Sequence, residues 1–432
     1  MIVVMLFSSL SQILARWFYT GVITLSIPVV LLRLWWRGRK NPAYRERWLE
    51  RFGIFEPPPR TGGIWVHAVS VGESVVAAPL IRALRKQFPD EPITITSTTP
   101  TGFARVRELF KDEVFQVYFP YDLPGNFTRF LERVRPRMLI LMETELWLNC
   151  LHACWQSRVR TVIVNARLSP KSMRGYRWIG AITRQMLRYV TKVIAQSEQD
   201  GARFIALGLE PDRLIVAGNM KFDVALKDGV QEQGRALRET WGDRPVWIAA
   251  STHAGEDEIV LAAFREIQKQ FANVLLILVP RHLERFESVA TTLQQQGYSV
   301  VRRSHGQSVR AETEIFLGDT MGELSLLYAA SDVAFVGGSF IAVGGQNTLE
   351  AAALGIPVIV GPHVHNFVDI TRFLRNAKAL VQVVDVPGLA QAVVHWFSNP
   401  ADRQRAGLAG KTVVEKNRGA IQKIMNVLVA MH

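Results

Sequence analysis

Residues 63–74 read Gly63-Ile64-Trp65-Val66-His67-Ala68-Val69-Ser70-Val71-Gly72-Glu73-Ser74, an apolar strand that turns directly into a helix. Helical spacing then continues from Val75 to Leu84. In an open parallel sheet such a junction lies at the carboxyl end of the strand, where ligands bind. Gly72 permits the tight turn and places Glu73 near the helix N-terminus. A carboxylate with a raised pKa can act there as a general base, and the alternative is a first-turn acid that complements the helix dipole.

The same alternation of short apolar runs and helical stretches continues along the chain. A first series of strands is predicted at Ile64–Val69, Ile93–Ser97, Val114–Phe119, Met138–Met142, Thr161–Asn165, Lys192–Ala195 and Leu214–Ala217. A second series is predicted at Val246–Ala250, Val274–Val279, Ser299–Arg302, Ile315–Leu317, Val333–Val336, Pro357–Val360 and Ala379–Val383. Short β-rich runs that alternate with helices indicate doubly wound parallel sheets.

A polar, charged stretch separates the two series, and 432 residues are enough for two domains. We therefore expect an α/β protein with two Rossmann-like domains whose parallel sheets face a central cleft. The predicted boundaries are an anchor over 1–40, a first domain over 41–222, a linker over 223–244, and a second domain with the terminal helices over 245–432.

The N-terminal segment indicates attachment to a membrane. Residues 17–32 carry no charge, and the stretch between Arg16 and Arg33 is only about 24 Å long as a helix, short of a hydrocarbon core of about 30 Å. A partly inserted helix therefore fits better than a full span. Residues 33–51 then carry seven basic residues against two acidic ones, with Trp35-Trp36 at the edge. Aromatic and basic residues beside an apolar helix mark the cytoplasmic boundary of a membrane.

The composition and the motifs exclude several other classes of protein. The net charge is +13, but the basic cluster adjoins an apolar anchor and no nucleic-acid-binding motif is present. The sequence has no Gly-x-Gly-x-x-Gly fingerprint, phosphate loop or Gly-x-Ser-x-Gly elbow. It also has no Asp-x-Asp and no spacing typical of metal ligands, so we expect no metal and no cofactor. Cys150 and Cys154 are interpreted as a reduced, buried pair, which favours a cytoplasmic location.

The second half of the chain places polar residues after several predicted strands. Gly337-Gly338-Ser339 follows one strand, and Gly344-Gly345-Gln346-Asn347-Thr348-Leu349-Glu350 opens a helix. Paired glycines allow a ligand to approach the backbone, and unpaired N–H groups at a helix start attract an anion. Glu350 can accept hydrogen bonds from sugar hydroxyls, especially of a ribose. A glycine-rich turn made only for packing is the alternative.

Three more strand ends carry candidate ligand-binding groups. They are Ser251-Thr252-His253, Pro280-Arg281-His282 and Gly318-Asp319-Thr320-Met321-Gly322-Glu323. With Arg281 as a fixed cation, these segments predict a nucleotide phosphate site. In the first half, Glu143-Thr144-Glu145 follows a strand and Lys221 lies at the linker. The acids could instead be ordinary helix-start residues, and the lysine a solvated linker residue.

Taken together, these residues resemble one family, the Kdo transferases of Gram-negative bacteria, which move 3-deoxy-D-manno-octulosonic acid (Kdo) from CMP-Kdo onto the lipid A precursor. The resemblance runs essentially end to end. It is carried by Ser70-Val71-Gly72-Glu73, Met142-Glu143-Thr144-Glu145-Leu146-Trp147, Asn165-Ala166-Arg167-Leu168-Ser169, Pro280-Arg281-His282 and Gly318-Asp319-Thr320-Met321-Gly322-Glu323-Leu324. Two departures from the family pattern are Leu148 and Thr348, where proline is expected.

The resemblance implies a GT-B fold and a role for each of these segments. Glu73 is expected to be the general base, with Glu143 and Lys221 stabilising the transition state. CMP is expected to be held by Pro280, Arg281, Met321, Gly322, Glu323, Asn347, Thr348, Leu349 and Glu350. CMP-Kdo is then the donor, the lipid A precursor (lipid IVA) the acceptor, and the inner membrane the location, with the catalytic domains on its cytoplasmic side.

Two rival hypotheses remain at this stage. One is another GT-B enzyme, a transferase or epimerase that uses a UDP-sugar, which a comparison of donors would distinguish. The other is a membrane-bound scaffold that only binds lipid. A scaffold predicts no sugar transfer and no effect of replacing Glu73.

Overall fold

The computed structural model describes residues 2–224 and 226–432. It forms two compact units, one that runs to Met220 and adds Gly419–His432, and one over Lys221–Arg418. Each unit contains one seven-stranded sheet in which all neighbouring strands are parallel. This arrangement confirms the predicted α/β class with two Rossmann-like domains.

The strands of the first unit are β1 (Ile64–His67), β2 (Ile93–Ser97), β3 (Phe115–Tyr118), β4 (Met138–Met142), β5 (Arg160–Ala166), β6 (Lys192–Ala195) and β7 (Leu214–Val216). Its helices are α1 (Ile2–Arg37), α2 (Val71–Gln87), α3 (Pro100–Phe110), α4 (Pro124–Val134), α5 (Leu148–Gln156), α6 (Pro170–Trp178), α7 (Gly180–Tyr189), α8 (Glu198–Ala206) and α17 (Ala420–Met431). The strand order is β3-β2-β1-β4-β5-β6-β7. The order reverses between β1 and β4, so the ligand crevice of this sheet is expected at the carboxyl ends of those two strands.

Alternating side chains along the strands fill a core on each face of the first sheet. Trp65 and Leu139 belong to one buried cluster, and Val66 and Ile140 belong to the other. This period of two is what a strand covered by helices on both sides requires. All strands of the first predicted series are confirmed, with ends that agree with the prediction or differ from it by at most two residues.

The strands of the second unit are β8 (Val246–Thr252), β9 (Leu275–Pro280), β10 (Val300–Arg302), β11 (Ile315–Leu317), β12 (Val333–Val336), β13 (Val358–Val360) and β14 (Leu380–Gln382). Its helices are α9 (Val230–Glu239), α10 (Asp257–Gln268), α11 (Phe286–Gln295), α12 (Leu324–Ala329), α13 (Leu349–Ala353), α14 (Val368–Asn376), α15 (Val386–Ser398) and α16 (Pro400–Asn417). The strand order is β10-β11-β9-β8-β12-β13-β14, so the reversal lies between β8 and β12. The second predicted series of strands is also confirmed.

The structure draws two domain boundaries differently from the sequence-based prediction. The stretch predicted as a linker contains α9, which packs against α12 and buries Val230 in the core of the second unit. The last helix, α17, was expected in the second domain but buries Ala420, Ile424 and Leu428 in the first unit's core. The position of each helix is determined by its apolar side chains, which pack against a hydrophobic core. The pattern of polar and apolar residues along the sequence does not show which of the two cores that is.

Candidate active site

Glu73 lies in the first turn of α2, directly after β1, as the sequence predicts. Ser70 caps this helix: its hydroxyl accepts a hydrogen bond from the Glu73 N–H and donates one to Glu73 Oε1 at 3.1 Å. The other carboxylate oxygen, Oε2, accepts the backbone N–H of Val69 at 2.8 Å. The hydrogen bonds of Ser70 and Val69 together fix the carboxylate over the carboxyl end of the strand.

The surroundings of Glu73 favour its protonated form. Burial first, and then the negative charges of Glu143 and Glu145, raise the pKa of Glu73 to about 7, against the lowering effect of the hydrogen bonds from the Val69 N–H and Ser70. A carboxylate whose pKa lies near neutrality accepts a proton more readily than an ordinary glutamate and is still ionised in part at physiological pH. Glu73 is therefore suited to act as a general base.

Glu143 and Glu145 follow β4, the strand that pairs with β1. Glu143 has a left-handed backbone (φ 58°), and its N–H donates to the Val164 carbonyl at 2.9 Å. Burial raises the pKa of Glu145, whose carboxylate accepts the Trp147 indole N–H at 2.8 Å. The structure thus brings Glu73 and Glu143 together at the reversal point of the first sheet, and it adds Glu145 to the group.

A buried hydrogen-bond network around Asp122 in the first unit was not predicted from the sequence. Asp122 accepts the N–H groups of Asn149 and Cys150 at the start of α5, at 3.1 and 2.8 Å, and the Tyr19 hydroxyl at 2.7 Å. These bonds satisfy the first turn of α5 without the proline expected at Leu148, which is itself fully buried. The partners lie far apart in the chain, so no local pattern indicates the network.

Lys221 lies at the start of the second unit, in the short 3-10 turn Met220–Phe222. Its ammonium group donates to the Asn366 carbonyl at 3.4 Å and lies 5.0 Å from the centre of the Phe367 ring. These contacts hold the partly exposed side chain against the second unit.

The donor-site candidates Pro280 and Arg281 lie at the end of β9. Pro280 is the last residue of the strand, and the N–H of Arg281 continues the pairing by donating to the Thr252 carbonyl at 2.9 Å. The Arg281 side chain is exposed, and its positive charge partly offsets the rise that burial causes in the pKa of Glu350. The guanidinium therefore lies within electrostatic reach of the second glycine-rich loop.

Glu350 is fixed by neighbours on both sides. Its carboxylate accepts the Ser325 hydroxyl at 3.2 Å and the Asn347 amide at 3.3 Å, and burial raises its pKa. Asn347 also accepts the Leu349 N–H at 3.1 Å and so caps α13. The side chains of Thr348 and Leu349 are buried, Leu349 in the hydrophobic core, so only their backbone atoms could face a ligand.

The loop after β11 carries Met321, Gly322 and Glu323. Met321 is 59% exposed, which leaves its side chain open to a ligand. Glu323 makes a two-pronged ion pair with Arg303, at 3.1 and 2.7 Å, which holds the pKa of Glu323 below its usual range. Lys227 donates to the Gly322 carbonyl at 2.9 Å. An ion pair and a hydrogen bond thus hold this loop, which leads into α12, whose Ser325 contacts Glu350.

The sequence predicts that a ligand can approach the backbone of the first glycine-rich loop, but the N–H groups of this loop are bound within the protein. The N–H groups of Gly338 and Ser339 already donate to the carboxylate of Glu256, at 2.6 and 2.9 Å. A side chain on Gly337 would come within 2.7 Å of the Ser251 carbonyl, so the glycine serves close contact between two loops. These N–H groups are therefore not free to bind an external anion.

Comparison with known proteins decides the family. The family model described as 3-Deoxy-D-manno-octulosonic-acid transferase (kdotransferase) matches residues 46–224. A 3-deoxy-D-manno-octulosonic acid transferase from Haemophilus influenzae is 41% identical over 419 residues, which cover 96% of this chain and 98% of that protein. The chain belongs to the Kdo transferase family. A second such transferase, from Bordetella pertussis, is 38% identical and covers 94% of this chain and 98% of its own length.

Solved structures share the two-domain α/β fold of this Kdo transferase. The UDP-GlcNAc 2-epimerase from Neisseria meningitidis superposes with a TM-score of 0.55 at 16% identity, covering 86% of this chain and all of that one, which shows the fold alone. The C-terminal CMP-Kdo binding domain of a protein from Acinetobacter baumannii is 34% identical, with a TM-score of 0.42, and covers 44% of this chain and 99% of the domain.

Family membership makes this Kdo transferase a glycosyltransferase of lipopolysaccharide biosynthesis. Within the described ranges, 2–224 and 226–432, no cluster of three or more His, Cys, Asp or Glu side chains could hold a metal ion. The cysteines Cys150 and Cys154 are free and buried on α5 of the Kdo transferase, as predicted.

Proposed function

We propose that the enzyme transfers Kdo from CMP-Kdo to the lipid A precursor, lipid IVA, with inversion at the anomeric carbon and with Glu73 as the general base. In this reaction a hydroxyl of the acceptor loses its proton to Glu73 while its oxygen attacks the anomeric carbon of Kdo. A new C–O bond forms as the bond to the CMP phosphate breaks, and CMP leaves with the electron pair.

Glu73 is the observation that carries the proposal. Its carboxylate is fixed by two hydrogen bonds at the reversal point of a parallel sheet, and its pKa is raised to about 7. A direct displacement by a hydroxyl needs one base on the attacking side. Both the position and the pKa of Glu73 match that requirement, whereas a purely structural first-turn acid gains nothing from a raised pKa.

The anomeric carbon develops positive charge and the phosphate of CMP develops negative charge as the bond breaks. Glu143, which adjoins Glu73, is proposed to stabilise the positive charge, and Lys221 the negative charge. Arg281 is proposed to offset the charge of the single phosphate of CMP, so the reaction needs no divalent metal and no cofactor. Family resemblance supports these three roles.

The second unit is proposed to bind CMP through Pro280, Arg281 and the loops at 321–323 and 347–350. Glu350 would accept hydrogen bonds from the ribose hydroxyls, because its carboxylate is already oriented by Ser325 and Asn347. The backbone of Thr348 and Leu349 would contribute without their side chains.

Helix α1 is proposed to hold the enzyme on the cytoplasmic face of the inner membrane. The stretch Ile13–Arg37 is apolar enough to cross a membrane, with a mean hydropathy of 1.6, and none of it is buried within the protein. Large apolar side chains along it are exposed: Leu14, Trp17, Phe18, Val22, Leu25, Val29, Leu32 and Trp36. The basic residues that follow suit the phosphates of an anionic lipid.

The opposite face of α1 contacts the rest of the first unit through polar side chains. Tyr19 donates to Asp122 at 2.7 Å, and Thr20 hydrogen-bonds to Asn149 at about the same depth along the helix. If α1 crossed the bilayer, these polar domain residues would enter the hydrocarbon region, which is costly. We therefore propose a helix that lies embedded in the interface, with one face on the protein and the other in lipid.

The test is transfer of Kdo to a tetra-acylated disaccharide bisphosphate in detergent, with CMP-Kdo generated in place and products measured by mass spectrometry. UDP-sugars serve as alternative donors, and Glu73→Ala is compared with Glu108→Ala, an exposed acid on α3 of the same unit. We expect transfer only from CMP-Kdo, a loss of about 10²- to 10⁴-fold in Glu73→Ala, and no loss in Glu108→Ala. Transfer from a UDP-sugar instead, or none from CMP-Kdo, would refute the proposed donor.

A further inference from the structure

The reversal point of the second sheet brings two loops together. Strands β8 and β12 are neighbours there, and the chain continues from them into residues 253–256 and 337–340. In open α/β sheets, ligands bind in the crevice formed by such loops. The groups that fix these loops therefore determine the shape of the crevice.

One buried carboxylate, that of Glu256, holds both loops. Its Oε2 accepts the N–H groups of His253 at 3.0 Å and Gly338 at 2.6 Å. Its Oε1 accepts the N–H groups of Ser339 and Phe340, both at 2.9 Å. Glu256 is fully buried, so these four bonds replace the water that the charge has lost.

Successive N–H groups that converge in a loop form a cradle for an anion. In this protein the cradle at 338–340 is filled by the protein's own carboxylate. The tight fit extends to Gly337, where a Cβ would lie 3.0 Å from Glu256 Oε2. The cradle is thus built around the carboxylate, and a donor phosphate must be bound by other groups.

Side chains next to these two loops also contact residues of the proposed donor site. Glu256 binds the backbone N–H of His253. The ring of the same histidine places its Nε2 3.0 Å from the side-chain amide nitrogen of Gln346. The ring also packs edge to face against the ring of His282, with 5.2 Å between the ring centres. Gln346 immediately precedes Asn347, and His282 follows Arg281. Glu256 therefore sets the position of the loops that carry the residues proposed to bind CMP.

We propose that Glu256 is a positioning residue for donor binding: its carboxylate occupies the N–H cradle at the reversal point of the second sheet and holds His253, and through it Gln346, against the donor-binding loops. The proposal rests on the proposed function, in which the second unit binds the donor. Glu256 itself touches no substrate.

Glu256→Gln is the direct test, because glutamine keeps the shape of the side chain but turns an NH₂ group toward two of the four N–H donors. The matched control is Glu258→Gln, the same change at an exposed position of α10. We expect the KM for CMP-Kdo and the Kd for CMP, measured by calorimetry, to rise about 10- to 100-fold in Glu256→Gln. The kcat and the KM for the acceptor should stay near the wild-type values, since the acceptor is proposed to bind the first unit.

A second variant tests the same inference even if Glu256→Gln does not fold. Gln346→Leu removes only the contact with His253, at a partly exposed position, and should raise the KM for CMP-Kdo in the same direction but by less. Unchanged CMP affinity in both variants, with a loss only of thermal stability or of active fraction, would mean that Glu256 is merely structural and would overturn the inference. Absence of CMP binding by the wild type would instead refute the proposed donor.

Discussion

Replacing Glu73 with glutamine should make the enzyme more stable above neutral pH while it removes the base. The pKa of Glu73 in the folded protein is about 7, against 4.5 for an unperturbed glutamate. Each pKa unit corresponds to about 1.4 kcal/mol, so keeping Glu73 ionised costs the folded state on the order of 3 kcal/mol above pH 7. Glutamine avoids this cost, and its side chain can still accept the Val69 N–H and bond to Ser70.

The pH window follows from the direction of the shift. Between pH 4.5 and about 7 the folded protein binds this proton more tightly than the unfolded chain does, so stability falls as the pH rises through that range. At pH 5 the carboxyl group is protonated in the folded state, and Glu73→Gln should match the wild type closely. At pH 8 the variant should be more stable by about 3 kcal/mol, a shift of several degrees in the melting temperature of the first unit.

Thermal unfolding of the wild type, Glu73→Gln and Glu108→Gln at pH 5, 6, 7 and 8 measures the effect. The exposed Glu108 controls for the loss of one negative charge from the same unit. A stability difference that grows with pH only in Glu73→Gln agrees with the reasoning. A constant difference at every pH, or a less stable variant at pH 8, would show that the pKa of Glu73 is not raised.

Three further predictions concern the donor loop, the membrane and metals. Arg303→Ala removes the ion pair that holds Glu323. Steady-state kinetics should show a KM for CMP-Kdo that is about tenfold higher, with little change in kcat. An unchanged KM would mean that this loop does not contribute to donor binding. The double variant Trp17→Asp, Phe18→Asp should bind anionic vesicles with an affinity lower by about 10-fold or more, as measured by sedimentation, because two exposed aromatic side chains no longer enter the lipid. An unchanged affinity would mean that the membrane contact lies elsewhere. Treatment with EDTA should leave the rate of Kdo transfer unchanged, and a loss that Mg²⁺ restores would reveal a metal in the reaction.

The parallel sheets could be predicted from the sequence because buried strands leave a local signal. Runs such as Met138–Met142 and Val333–Val336 are uniformly apolar, and turn residues bound them on both sides. The boundaries between units could not be predicted in the same way. Helix α17 returns to the first unit because Ile424 and Leu428 fit its core, and that fit depends on contacts with residues more than 300 positions away.

The residues of the candidate site differ in the same way: some have a local signal in the sequence and others depend on distant segments. Glu73 could be predicted because a strand, a glycine and a capping serine all lie within a few residues of it. Asp122 and Glu256 could not, since each accepts N–H groups from segments that are distant in the chain. The hydrogen bond of the Gly338 N–H could not be predicted for the same reason, because its acceptor lies 82 residues away.

The pH dependence of a single turnover tests the role of Glu73 most directly. With CMP-Kdo and acceptor bound, the wild-type rate should rise with pH as Glu73 ionises, with the midpoint of the rise near the Glu73 pKa of about 7 and a plateau at higher pH. Glu73→Gln should react about 10²- to 10⁴-fold more slowly and should lose this pH dependence. A Glu73→Gln enzyme that keeps the wild-type rate and profile would show that another group removes the proton.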